Sequence, residues 1–217
     1  MKEKIAVMIY PYFSMQEISC LTSALAVWYG KKFDVVASSK QPYETEDGFK
    51  IIANKTFDEI DADDYRCLIM PGIINPLPAL FDQSNIDFLK RFEGKDVVIA
   101  AISSAPMLLA KAGLLDGVTF TSGIWEDIIE YVGFIPAENN LHRPLVKDKN
   151  FITAIGFAFR EFAVETLRAI GIEIKDNAFA GVDKEYSAEE LAFRMDAEDF
   201  EYFVKEYGSY ADKTAPN

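Results

Sequence analysis

The chain has 217 residues, 50% of them apolar, with 22 Lys and Arg against 35 Asp and Glu, one His and two Cys. A formal net charge of −13 opposes phosphate backbones and anionic headgroups, so nucleic acid and acidic membrane surfaces are excluded as expected partners. One His and two widely separated Cys lack the spacing of a metal site or a disulfide framework, and neither metal nor cofactor is expected.

Apolar, strand-like runs alternate with helical periodicity, the pattern of a mostly parallel sheet with crossover helices. Ile5 to Tyr10 reads as a first strand. Its apolar run is too short for a signal peptide or a membrane span, and a cytoplasmic protein is expected. Met15 to Tyr29 reads as a helix closed by Gly30, and Phe33 to Ala37 as a second strand. Gly48 to Lys55 suggests a short excursion strand or hairpin, Thr56 to Asp61 a capped turn, and Cys67 to Met70 a third core strand stopping at Pro71-Gly72. A helix over Asn85 to Phe92 precedes the most apolar strand, Val97 to Ile102, and a helix over Pro106 to Leu115 follows it. Thr119 to Ser122 is read as a short strand, Ile124 to Tyr131 as a helix, Phe151 to Ile155 as the last core strand and Phe159 to Ile170 as a covering helix. Residues 1–171 thus form one α/β domain.

Residues 172–217 differ in composition, with 12 acidic and 5 basic residues and hence −7 of the net charge. Ser187-x-x-Glu190 is a capping-box pattern, and Asp196 is placed to cap a helix bearing Phe200, Phe203, Val204 and Tyr207. A two-helix acidic appendage packed on the core is expected, with Thr214 to Asn217 fraying.

In open α/β sheets the ligand site lies beyond the carboxyl ends of the strands. Three such ends hold unusual residues. Ala100 to Pro106 (AAISSAP) runs an apolar strand into two serines, a small residue and a helix-starting Pro. This is the strand-turn-helix shape of a nucleophile elbow with Ser103 at its apex; the plainer reading is that Ser103 and Ser104 cap the helix. Pro71-Gly72-Ile73 is either a simple turn or the source of a second oxyanion-binding amide. Glu17, in the first turn of the first helix, is an ordinary surface acid or, if turned toward Ser103, a buried carboxyl able to act as proton donor or base.

The order of Glu17, Gly48 to Ile60, Leu68 to Gly72 (LIMPG), Ala100 to Pro106, Ala110 to Gly117 (AKAGLLDG) and Thr121-Ser122 resembles the ThiJ/PfpI superfamily over residues 3 to 171. The resemblance implies a flavodoxin-like three-layer sandwich of the class I glutamine amidotransferase kind and a homodimer, to which the residues beyond 171 add the small C-terminal helical extension read above. Glu17 matches the family's pocket glutamate, and Gly72 the first glycine of its strand-end pair, the second being Ile73 here. Ser103 stands where the family carries its reactive Cys. Ser104 stands where the family's proteases carry His, and Ser122-Gly123 where another pocket His is frequent.

That departure sets the functional expectation. A thiol ionises near neutral pH, whereas a Ser hydroxyl needs an adjacent base. Neither Ser104 nor Ser122 is a base, and the sole histidine, His142, lies in a polar loop. Cys20 and Cys67 read as packing residues. The first reading is therefore a non-catalytic or weakly active relative that binds a small polar metabolite or serves regulation through a pocket of Glu17, Gly72, Ile73, Ser103, Ser104 and Ser122. The alternative is a hydrolase or amidase using Ser103 with Glu17 as base and the amides near Ile73 and Ser104 as oxyanion donors. A third is an assembly protein whose acidic C-terminal helices recruit a basic partner.

Overall fold

The computed structural model describes residues 3–179 and, beyond them, positions 197, 198, 201 and 205. By internal packing the chain divides into units Met1–Phe179 and Ala180–Asn217. The capping pattern at Ser187, the Asp196 cap, the Phe200 to Tyr207 stripe and the terminal residues lie outside the described residues.

Seven strands form one sheet. Strands β1 (Lys4–Met8), β2 (Asp34–Ala37), β5 (Lys55–Thr56), β6 (Tyr65–Met70), β7 (Val98–Ile102), β8 (Leu145–Asp148) and β9 (Phe151–Ala154) take the order β5-β2-β1-β6-β7-β9-β8, while β3 (Pro42–Glu44) and β4 (Lys50–Ile52) form a separate antiparallel hairpin. All pairings in the large sheet are parallel except β8 with β9. A parallel strand covered on both faces needs apolar side chains on both, and Ile5 to Met8, Cys67 to Met70 and Ile99 to Ile102 are all buried.

Among the described residues, the helices against the sheet are α1 (Gln16–Ser23), α2 (Leu77–Leu80), α3 (Gln83–Lys90), α4 (Pro106–Lys111), α5 (Glu126–Val132) and α6 (Phe159–Ala169). α1 packs on α6, while α2 and α3 pack with α4. The result is the three-layer, flavodoxin-like sandwich expected. Strand order reverses at β1, whose successor β2 lies on one side and β6 on the other, which puts a crevice at the carboxyl ends of β1 and β6.

Two local expectations are corrected. The first helix does not run unbroken to Tyr29: it widens over Ala24–Trp28, where the Tyr29 N–H reaches back five residues to the Ala24 carbonyl. The wide turn sets Trp28 in a stack on Phe179, with ring centroids 5.1 Å apart, and the Tyr29 hydroxyl against the Glu173 carbonyl. Nor do Thr119 to Ser122 form a strand. The edge of the sheet beside β9 is formed by β8, an edge strand sequence reading missed. They are held instead by a single bridge from Phe120 to Asn140 and by side-chain bonds, Thr119 to Asp148 and Thr121 to Thr153. The expected capped turn is present, with Thr56 and Glu59 as a reciprocal capping box around Phe57–Glu59.

Candidate functional site

The carboxyl ends of β1, β6, β7 and β9 converge on Ser103. Its backbone has φ +61°, left-handed for a residue with a side chain, a conformation costing about 1–3 kcal/mol that persists only when the surroundings fix it. Those surroundings are the Ser103 N–H donating to the Ala154 carbonyl (2.7 Å) and the Ser103 carbonyl accepting from the Gly123 N–H (2.8 Å). Neither serine caps α4, which has no side-chain cap. Ser104 Oγ instead donates to the Ile73 carbonyl and accepts from the Ile73 N–H, both at 2.8 Å, a reciprocal clasp between the ends of β7 and β6.

Glu17 turns inward. Its Oε2 accepts from the Gly72 N–H at 2.8 Å, and its carboxyl takes the Ser103 hydroxyl as donor. Glycines make room for this pairing. A Cβ on Gly72 would overlap Glu17 Oε2 and lie 2.5 Å from Ser103 Cβ; one on Gly156 would lie 2.6 Å from Glu17 Oε1; one on Gly123 would meet Ser103 Cα at an ordinary 3.4 Å. Ile73 is not among the left-handed residues, so its β-branch is accommodated without strain. The Tyr10 hydroxyl, fully buried, donates to the Pro71 carbonyl and anchors the loop that carries Gly72.

A cavity of about 400 Å³ opens above this pair, walled by Ile73, Ser104, Met107, Gly123, Ile124 and Trp125 among others. Glu46 stands on its rim, brought there by the hairpin: the Tyr12 N–H donates to the Glu44 carbonyl and the Glu46 N–H to the Phe13 carbonyl. Ser122 does not line the cavity; its hydroxyl is buried without a partner beside Gly123. Glu46 and Gly156 are site residues that sequence reading missed. Glu46 lies in the polar, turn-rich stretch just ahead of the Gly48 to Lys55 excursion, which hinted at the first, and the position of Gly156 beyond the last core strand hinted at the second.

Burial pushes the Glu17 carboxyl above its ordinary range; hydrogen bonds from Ser103 and the Gly72 amide oppose the shift, and the Glu46 carboxylate adds to it. Because ionisation is then less favourable folded than unfolded, native stability falls as pH rises from the ordinary carboxylate pKa of about 4.3 through the raised folded value. Glu17→Gln removes this dependence. In urea unfolding the stability of Glu17→Gln relative to the native chain is expected to rise from pH 4 toward neutrality and then level off; a difference that stays constant or falls contradicts an up-shifted Glu17.

His142 is exposed, its Nδ1 lying 3.5 Å from Glu126 Oε1, and does not line the cavity. Cys20 is half-buried against the core, and Cys67 is buried with its thiol pushed up to about 12 by desolvation. Among the described residues there is no group of three or more metal-ligating side chains, and no helix long and apolar enough to cross a membrane.

Comparison with known proteins bears on the same elements. The model of the DJ-1/PfpI family matches residues 3–169. DJ-1 protein homolog E of Arabidopsis thaliana is 33% identical over 122 residues, covering 52% of this chain but 30% of the plant protein. An uncharacterized protein of Methanocaldococcus jannaschii is 34% identical over 143 residues, 65% of this chain and 69% of the archaeal one. Deglycase PfpI of Pyrococcus furiosus is 24% identical over 149 residues, with coverages of 68% and 80%. A DJ-1 superfamily protein from Agrobacterium tumefaciens superposes with a TM-score of 0.69 at 22% identity, covering 94% of this chain and 98% of its own. A thiJ/pfpI family protein from Bacillus anthracis gives 0.71 at 24% identity, with coverages of 79% and 84%. The matched span runs from β1 through α6 and so contains every residue of the Ser103 pocket: this chain belongs to the DJ-1/PfpI family.

Proposed function

We propose that the chain is a small-ligand-binding member of its family in which Ser103 acts as a hydrogen-bonding anchor and not as a nucleophile. The observation that carries this reading is the engagement of the strand-end amides: the Gly72 N–H is held by Glu17 and the Ile73 N–H by Ser104 Oγ. A hydrolase needs such donors free, aimed at the developing oxyanion. The titratable groups that line the cavity with Ser103, among the described residues, are the carboxyls of Glu17 and Glu46, and a carboxyl is a weak base toward an alcohol of far higher pKa. Relatives named deglycases and an uncharacterized protease are matched at 23–30% identity. A thiol nucleophile of the kind the family resemblance implies is replaced here by a hydroxyl.

The strained backbone at Ser103 favours a second reading, a hydrolase or amidase with Glu17 as base, since backbone strain of this kind clusters at active sites. A serine-directed fluorophosphonate probe followed by peptide mapping separates the two. The expected result is no adduct at Ser103; labelling there, or amide or ester turnover that vanishes in Ser103→Ala, overturns the binding reading. A homodimer and a cytoplasmic location belong to the same proposal and rest on family likeness.

A further inference from the structure

The cavity above Ser103 shares three wall residues, Pro76, Met107 and Ile128, with a neighbouring groove of about 840 Å³ between α2, α4 and α5. The groove is apolar and open: Leu77, Phe81 and Tyr131 line it and are 55%, 79% and 91% exposed. Continuous exposed apolar surface next to a polar pocket marks a binding surface. The polar end carries charge of one sign. Glu17 lines the cavity and Glu46 its rim, and among the described residues no Lys, Arg or His lines it. The cation of the groove, Lys111, lies at the outer part with its ammonium 4.7 Å from the Phe134 ring centroid.

We propose that the site takes a primary amine carrying an apolar chain, its ammonium head between Glu17, Glu46 and the Ser103 hydroxyl and its chain running past Met107 and Ile128 into the groove. The ligand class rests on the binding reading given above. An ammonium offers three donors, and the two carboxylates and the hydroxyl are acceptors for them. A carboxylate or phosphate head would meet only like charge, a cost of the kind that sets specificity. The net charge of −13 attracts a cation at long range as well.

Titration calorimetry at pH 7 with butylamine, hexylamine, octylamine, octanol and octanoate tests this. Affinity is expected to rise about three- to fourfold per added methylene, and octylamine to bind at least about tenfold more tightly than octanoate, with octanol between them. Glu46→Gln, a change at an exposed loop residue, should bring octylamine close to octanol, and Ile128→Ser should flatten the chain-length series. Equal affinity for octanoate, or no gain with chain length, overturns the proposal. If a second copy of the chain covers the groove, Tyr131→Asp will halve the mass seen by light scattering and the native chain will show no length dependence, which also overturns it. Fluorophosphonate labelling of Ser103 with the amine preference intact would sink the binding reading and leave the ligand class standing.

Discussion

Ser103→Cys is expected to gain a thiol that iodoacetamide alkylates at least about tenfold faster than either native cysteine in the folded chain. The elbow already supplies the geometry. Ser103 is held at φ +61° by the Ala154 carbonyl and the Gly123 N–H, contacts that involve only its backbone, so exchanging oxygen for sulfur leaves them in place. The side chain lines an open cavity at the start of α4, whereas Cys67 is wholly buried with its thiol pushed up to about 12, and burial also raises the thiol of Cys20. The readout is mass spectrometry of tryptic peptides over a time course at pH 8. A variant thiol that reacts no faster than Cys20 would mean that the strained turn no longer presents its apex to the cavity. Fast alkylation would show that the chemistry lost with the Cys is limited by the atom at position 103 and not by the shape around it.

Much of this arrangement was legible in the sequence because it depends on local pattern. Runs such as CLIM and VIAAI can be buried on both faces only in a covered parallel sheet, and AISSAP can make a sharp strand-to-helix turn because its residues are small. What stayed hidden depends on partners distant in the chain. Ser104 reads as a cap, yet its hydroxyl is claimed by Ile73, 31 residues earlier, because the two strand ends lie side by side in the sheet. Glu46 reads as a loop acid and reaches the pocket only because the hairpin is tied to Tyr12 and Phe13. Gly156 reads as a turn glycine, and its importance is visible only once Glu17 is known to point at it. Strand β8 escaped because an edge strand needs only one apolar face, and Leu145 to Asp148 has only Val146 fully buried.

Three glycines around Glu17 and Ser103 give the second large effect, as a graded series. Gly72→Ala is expected to cost about 2–3 kcal/mol, because the new methyl overlaps Glu17 Oε2 and sits 2.5 Å from Ser103 Cβ. At this chain length that is a fall in Tm of roughly 5–10 °C. Gly156→Ala should cost less, since its closest contact, 2.6 Å, is to the end of a side chain that can swing away, and Gly123→Ala should stay within about 0.5 kcal/mol, its nearest neighbours lying at 3.4 Å. Second-site changes sharpen the test. Truncating the acid with Glu17→Ala removes the one close contact at Gly156 and should rescue Gly156→Ala nearly completely. It should rescue Gly72→Ala only in part, because Ser103 Cβ is fixed by its backbone and cannot retreat. Calorimetric melting of the three glycine variants, each in the native and in the Glu17→Ala background, decides the matter. If Glu17→Ala rescues Gly72→Ala fully, the Ser103 turn yields more readily than its hydrogen bonds imply; if it rescues neither, the glycines are needed for the strand ends themselves and not to seat a carboxyl against the serine.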